Sequence, residues 1–207
     1  ELTHEHSTAL FHTDAVQAPG KMRVDLEALG ADLASFGAHK LYGPLGVGLL
    51  FICEGVDLEP QIVGGSQEEG LRAGTENVPA IVGFAEAARL AGEEWQHECL
   101  RLEALRELLW DRLEKTVRAV HRNSPRENCL PNTLNISLPG HKSRDLVMEC
   151  DRRGFGISSG SACSSEGGEP SHVLVAMGAG EHRAASAIRI SLGRWTTEEE
   201  VLAFAEA

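Results

Sequence analysis

Short apolar runs separated by glycine-rich turns fill residues 1–80, and this pattern predicts β-strands. The runs are residues 9–12, 33–36 and 47–53. The last of them, VGLLFIC, is continuously apolar, which is typical of a strand covered on both faces. Residues 24–29 predict a short helix or turn between the first two strands.

A helical period begins at Asn77, which is a good N-cap residue, and Pro79 falls in the first turn, where its missing N–H costs nothing. From there to about Val120 apolar residues recur three and four apart, with Glu and Arg between them. An unbroken helix of this extent would be about 60 Å long and would bridge two lobes. The charged residues within 101–114 predict a solvated face.

Strands and helices also alternate in the remainder of the chain. Alternating or apolar runs predict strands at 133–138, 155–158 and 188–192. Amphipathic runs predict helices at 144–153 and beyond Thr196. This alternation predicts an α/β fold. We expect a domain boundary near residue 120, which divides the chain into 1–120 and 121–207.

Composition narrows the class of protein. Lys and Arg number 19 against 31 Asp and Glu, a net charge of -12 that disfavours nucleic-acid binding. No apolar run approaches the ~20 residues of a membrane span. The five cysteines cannot all pair and form no C-x-x-C, so we expect a reducing compartment, the cytoplasm, with organellar targeting left open. The sequence begins at Glu1 and ends at Ala207 inside a predicted helix, so we expect a piece of a longer protein.

Lys40 follows a predicted apolar strand and lies beside His39, before the Gly43-Pro44 turn. Burial of a lysine favours its uncharged amine, the form that makes a Schiff base with an aldehyde. The alternative is a surface lysine at the end of a strand.

Asp14 also follows a predicted strand, at the edge where open α/β sheets bind ligands. An aspartate next to a pyridinium nitrogen keeps that ring protonated, as pyridoxal phosphate chemistry requires. Gln17, three residues later, is placed to donate to the phenolic oxygen of the same cofactor. The alternative is an aspartate that begins a turn.

Cys163 lies in the segment SSGSACSS, which predicts a polar loop. An accessible thiol on a loop suits a nucleophile that reaches a substrate and then moves away. An exposed cysteine without a role is the alternative. Cys53 is expected to be a packing residue, and Cys99, Cys129 and Cys150 are also interpreted as structural.

Six motifs in order resemble the NifS-like cysteine desulfurases, class V of the fold-type-I pyridoxal phosphate enzymes. The resemblance runs from Leu10 to the end of the chain. It implies the C-terminal part of such an enzyme: part of the large-domain sheet, a long connecting helix and a small α/β C-terminal domain. The motifs are HTDAVQ (12–17), SFGAHKLYGPLGVG (35–48), GGSQEEGLRAGTENVPAIVG (64–83), PNTLNIS (131–137), SSGSACSS (158–165) and IRISLGR (188–194).

The resemblance implies a role for each of five cofactor-binding residues. Lys40 would carry pyridoxal 5'-phosphate covalently, Asp14 would pair with its pyridine nitrogen, and Gln17 with its phenolic oxygen. His39 would help to hold the phosphate. Thr75 would reach the phosphate of the neighbouring subunit, which implies a homodimer.

The resemblance also implies the substrate chemistry. Arg189 would bind the carboxylate of L-cysteine, and Cys163 would take its sulfur as a persulfide, leaving L-alanine. The persulfide would pass to an acceptor such as an iron–sulfur scaffold protein, and no metal site is implied. The family usually has serine at the position of Gly37, so one side-chain contact to the phosphate would be missing. The N-terminal half of the family is absent here, so we expect this chain to be inactive alone.

Three other functions remain open at this stage. A selenocysteine lyase would use the same cofactor and a cysteine in the same loop. A catalytically silent homologue could act as a partner or scaffold, although it would have no need for Lys40, Asp14, Gln17, Arg189 and Cys163 together. Metal storage by the histidines and cysteines lacks any ligand spacing.

Overall fold

The computed structural model describes residues 2–159 and 170–207 and confirms the α/β fold class. The chain divides into two compact units, Glu1–Gln96 and His97–Ala207. This division lies earlier than the boundary expected near residue 120, and it falls inside the long helix. The reason is that the C-terminal half of this helix contributes Leu102 and Leu109 to the core of the second unit.

The first unit is built on a three-stranded sheet in the order β1-β2-β3. Strands β1 and β2 are parallel, and β2 and β3 are antiparallel. Two short helices precede β1 and β2, and the long helix α3 follows the sheet. The elements are α1 (Leu2–His6), β1 (His12–Asp14), α2 (Leu26–Leu29), β2 (Leu33–Gly37), β3 (Gly48–Ile52) and α3 (Val78–Thr116).

Strand β1 begins later than the run 9–12 predicts. The N–H of Phe11 donates to the Asp32 carboxylate at 2.7 Å, and the parallel ladder begins only at the pair His12 and Leu33. The carbonyl of Phe11 still accepts from the N–H groups of Asp32 and Leu33 at 3.0 and 3.2 Å, so only the N–H of Phe11 is diverted to a side chain.

The continuous apolar run predicted that strand β3 is covered on both faces. In the structure β3 lies at the edge of the three-stranded sheet and is not covered in this way. Leu49 is 51% exposed and Leu50 is 47% exposed. The prediction of a fully buried strand is therefore wrong for the described residues. An apolar run reports which side chains favour burial, and burial itself depends on the elements that pack against them.

The predicted long helix is confirmed as α3, which has 39 residues and a length of about 58 Å. The Asn77 side chain accepts a hydrogen bond from the N–H of Ala80 at 3.3 Å, as a cap does. A Cβ at Gly83 would lie 2.7 Å from Cγ of Pro44, so this glycine permits the close approach of the loop after Tyr42.

The predicted solvated face of α3 is wrong at Arg106, which is 1% exposed. Its guanidinium donates to the carbonyl of Leu130 at 3.0 Å and to that of Arg126 at 3.2 Å. It also donates to Sγ of Cys129 at 3.0 Å and to the carboxylate of Glu107 at 3.0 Å. The 123–131 segment therefore folds over a charged residue that the periodicity placed in solvent.

The second unit contains a four-stranded antiparallel sheet in the order β4-β5-β7-β6. One face packs on the end of α3 and on the last helix, α7, through a core that consists of Leu102, Leu105, Leu109, Trp110, Leu113, Leu134, Ile136, Ile188, Ile190, Leu192, Val201 and Ala205. The elements are β4 (His121–Arg122), β5 (Thr133–Ser137), α4 (Ser143–Arg152), β6 (Ser158–Ser159), α5 (His172–Ala176), α6 (Glu181–Ala185), β7 (Ala187–Ser191) and α7 (Glu198–Glu206).

The last helix begins where the sequence predicts it. Thr197 and Glu200 form a reciprocal capping box at its N-terminus. Across residues 2–159 and 170–207, none of the helices combines the length and the apolar character that crossing a membrane would need.

Candidate active site

Two parallel strands end at the same edge of the first unit's sheet, and four predicted site residues lie there. Asp14 is the last residue of β1 and pairs in register with Ser35 of β2. Gln17 lies in the turn after β1, while His39 and Lys40 lie in a 3-10 helix directly after β2. The carboxyl ends of parallel strands are the edge at which α/β sheets bind ligands. The sequence-based placement of these residues at strand ends is confirmed.

The backbone around Asp14 orients its carboxylate. Oδ1 accepts a hydrogen bond from the N–H of Val16 at 3.0 Å, and the N–H of Ala15 donates to the carbonyl of Ser35 at 2.9 Å. The chain therefore leaves β1 in a tight turn tied to β2. The Asp14 side chain is exposed, so the rest of its carboxylate is available to a ligand.

Lys40 is held by the buried residues on either side of it in the 3-10 helix. Ala38 is 0% exposed and Leu41 is 9% exposed, and both pack against Phe84 of α3. The Lys40 side chain is half-buried, between the buried lysine and the surface lysine that the sequence left open. Its Nζ makes no hydrogen bond or ion pair with any residue in 2–159 or 170–207. This amine is therefore accessible and free of a competing carboxylate, as a covalent anchor requires.

Gly37, where the resemblance implies serine, lies directly under the imidazole of His39. A Cβ at this position would lie 3.1 Å from Cε1 and Nδ1 of that ring and 3.4 Å from Val16. The missing side chain therefore gives the His39 ring room to lie against the backbone. His39 itself is exposed at the same sheet edge as Lys40.

Thr75 lies in the loop before α3 and is exposed. The loop is ordered by Gln67, whose Oε1 accepts from the N–H of Gly74 at 3.1 Å, and by a bridge between Ile62 and Arg72. Within the described residues Thr75 makes no side-chain hydrogen bond. Its role toward a neighbouring subunit stays a prediction.

Arg189 lies in the second unit, on β7 in the middle of the sheet. It pairs in register with Asn135 of β5 on one side and with Ser158 of β6 on the other. The side chain is half-buried, and its guanidinium has no hydrogen-bond or ion-pair partner in the part of the chain that the structure describes. The five donors of a guanidinium form a planar fork whose geometry matches a carboxylate.

Cys163 lies outside the described residues, and its role stays a prediction. The structure follows the chain up to Ser159, in β6, beside the strand that carries Arg189. Among the other cysteines, burial raises the pKa of the Cys150 thiol, which disfavours the reactive thiolate. This agrees with the structural role expected for Cys150.

A set of polar residues around β5 forms a network that the sequence does not predict. Asn123, Asn135 and Arg183 are joined by hydrogen bonds although they are far apart in the chain. Asn135 lies within the motif PNTLNIS, and the alternation of TLNIS places it on the polar face of its strand. Common polar residue types at distant positions carry no further pattern.

Curated relatives and solved structures agree on the class of protein. A cysteine desulfurase IscS of Dictyoglomus turgidum is 46% identical over 191 residues, which is 92% of this chain and 48% of that protein. A structure titled as a NifS-like protein aligns with a TM-score of 0.86 at 43% identity, over 96% of this chain and 51% of the other. A structure described as SspA in complex with cysteine aligns with a TM-score of 0.66 at 32% identity, over 94% and 53%.

The chain therefore spans about half the length of the curated relatives that it matches. The family described as aminotransferase class-V matches residues 1–204, which is nearly the whole chain. The chain belongs to the class-V aminotransferase family, and its relatives include cysteine desulfurases.

Proposed function

We propose that the full-length protein is a pyridoxal phosphate-dependent cysteine desulfurase that converts L-cysteine to L-alanine. The observation that carries the proposal is the accessible amine of Lys40, which has no partner in the described chain and lies at the same sheet edge as the carboxylate of Asp14. The similarity to proteins named cysteine desulfurase supports it.

The residues at this edge fit pyridoxal phosphate. An amine, a carboxylate, an amide and an imidazole are the donor set that this cofactor needs: Lys40 to bind its aldehyde, Asp14 to keep its ring nitrogen protonated, Gln17 for its phenolic oxygen and His39 for its phosphate. When bound, the cofactor withdraws electrons from the carbon atoms of the substrate. Thr75 would complete the phosphate site of a second subunit, so a homodimer is part of the proposal.

The protein's own residues would then act on the substrate in sequence. The guanidinium of Arg189 binds the substrate carboxylate. Nζ of Lys40, once released from the cofactor, takes the proton from the substrate's α carbon and returns a proton to the product. The thiolate of Cys163 attacks the substrate sulfur, so an S–S bond forms as the C–S bond breaks. The products are L-alanine and a persulfide on Cys163, which would pass to an acceptor such as an iron–sulfur scaffold protein.

The test uses the full-length protein purified with pyridoxal phosphate, beside Lys40→Ala and Cys163→Ser variants. We expect a visible absorbance band that survives dialysis in the parent and in Cys163→Ser and is lost in Lys40→Ala. Alanine release from L-cysteine should be lost in both variants.

Two other outcomes would favour the alternatives. A folded parent without the band, or with the band and no turnover, would favour the silent homologue. Turnover of selenocysteine without turnover of L-cysteine would favour the selenocysteine lyase.

A further inference from the structure

A chain of hydrogen bonds in the second unit determines the orientation of two amide side chains. Nε of Arg183 donates to Oδ1 of Asn123 at 2.8 Å. Because a guanidinium has only donors, the atom of Asn123 that faces it must be the oxygen. The amide nitrogen of Asn123 consequently points the other way, where it donates to Oδ1 of Asn135 at 2.7 Å and to Oγ of Ser137 at 2.8 Å.

This orientation turns the amide oxygen of Asn135 toward Asn123. Its oxygen is used by Asn123, so its Nδ2 group is the free end of the amide. Nδ2 meets no acceptor among residues 2–159 and 170–207. The backbone of Asn135 is also tied down, since its N–H donates to Oγ of Ser124 at 2.8 Å and its carbonyl accepts from Asn123 and Ser124.

The free amide lies next to the free guanidinium. Asn135 and Arg189 are directly opposite in the antiparallel pair β5–β7, so their side chains leave the same face of the sheet with Cβ atoms about 5 Å apart. The neighbouring residues Leu134, Ile136 and Ile188 are buried in the core on the other face. Two sets of N–H donors that meet no acceptor within the described residues therefore lie side by side on one face.

We propose that Asn135 donates a second hydrogen bond, beside Arg189, to the carboxylate of the amino acid substrate. A carboxylate has two oxygens and about four acceptor positions, so it accommodates a guanidinium and an amide together. Asn123 and Arg183 are positioning residues, because they orient the amide without reaching the ligand. The inference rests on the proposed function, in which Arg189 binds this carboxylate.

The decisive variant is Asn135→Asp in the full-length, cofactor-loaded protein. An aspartate keeps the oxygen that accepts from Asn123 and replaces the Nδ2 donor by a second oxygen, which repels a carboxylate. We expect the affinity for L-alanine, titrated through the absorbance of the bound cofactor, to fall about tenfold or more. The affinity for L-alaninamide, which has no carboxylate, should change little. Thr133→Val, on the same strand and face, is the matched control and should leave both affinities unchanged.

Arg183 tests the orientation of the amides. Arg183→Leu frees Asn123 to rotate, so L-alanine affinity should fall by less than in Asn135→Asp, while L-alaninamide affinity stays constant. Arg183→Lys supplies a donor to Oδ1 of Asn123 and should recover part of the loss. A purely structural role would move both affinities together and would not be rescued by lysine.

Each outcome separates the inference from the proposed function. A parent that turns over L-cysteine and loses L-alanine affinity in Arg189→Ala but not in Asn135→Asp overturns the role of Asn135 alone. Equal losses for L-alanine and L-alaninamide in Asn135→Asp also overturn it. A parent that neither turns over L-cysteine nor binds L-alanine contradicts the proposed function and removes the basis of both.

Discussion

The two units differ in how well each covers its apolar residues. In the second unit α3, β5, β7 and α7 enclose a continuous core in which Leu134 is 0% and Ile136 is 1% exposed. In the first unit the core cluster around the 3-10 helix contains only Ala38, Leu41 and Phe84 as buried residues. The residues proposed to bind the cofactor thus lie on the weakly covered unit, and Arg189 lies on the well-packed one.

Two arginines on α3 show the same contrast at the level of single residues. Arg89 in the first unit is half exposed and pairs with Glu86 and Glu93 at 2.7 and 2.6 Å. Arg106 in the second unit is 1% exposed, with a carboxylate of Glu103 at the same i,i+3 spacing. Residue type and helical spacing are alike, so the two arginines differ in burial and in the backbone carbonyls that only Arg106 binds, and these differences separate their expected contributions to stability.

The largest effect on stability is expected when the buried guanidinium of Arg106 is removed. Arg106→Met fills the space but leaves the carbonyls of Leu130 and Arg126 without their donor, so the free energy of unfolding should fall by about 3–5 kcal/mol. Arg89→Met, the matched variant on the same helix, should leave the free energy of unfolding unchanged within error, because exposed ion pairs contribute little. Urea unfolding followed by circular dichroism measures both. Equal effects would mean that the burial of Arg106 has no energetic consequence.

The next largest effect compares one leucine from each sheet. Leu134→Ala opens a cavity in the second unit and should cost about 2–5 kcal/mol. Leu49→Ala on β3 removes a side chain that is 51% exposed and should cost much less, since little transfer energy and no cavity are involved. Thermal and urea unfolding of this chain check the pair. A cost at Leu49 as large as that at Leu134 would contradict the exposure of β3.

The smallest expected effect is on the pH dependence of the free energy of unfolding. Hydrogen bonds from Arg122, and secondarily from Arg106, lower the pKa of Glu107 against the opposing effect of partial burial. A lowered pKa in the folded state means that the stabilisation is complete above the ordinary glutamate range and is lost as the pH falls through the folded-state value. Glu107→Gln should cost about 1–3 kcal/mol at pH 7.

Unfolding measured from pH 7 to pH 3 tests this assignment. The parent should lose stability more steeply than Glu107→Gln over the acid part of the range, so the two curves should converge there. Parallel curves would show that Glu107 is not the group responsible.

Much of the fold could be predicted because local signals agree with it. The cap at Asn77 and the three-four period placed α3, and the pair Thr197 and Glu200 begins α7 as expected. The first strand begins later than predicted, since the N–H of Phe11 donates to the Asp32 carboxylate and the parallel ladder begins at His12. Such contacts join residues far apart in sequence, so no local pattern contains them.

The candidate site also combines features that short motifs predict with features that depend on the fold. Strand-end placement of Asp14 and Lys40 followed from short motifs, whereas the pairing of Asn135 with Arg189 required the strand register. The sequence by itself determined the family and the α/β class, because its motifs and its apolar periodicity are local features, and through the resemblance it supplied the candidate site residues. Only the tertiary structure decided that Arg106 is buried, that β3 is exposed and that the Asn135 amide presents its donors, because burial and side-chain orientation depend on what packs against each residue.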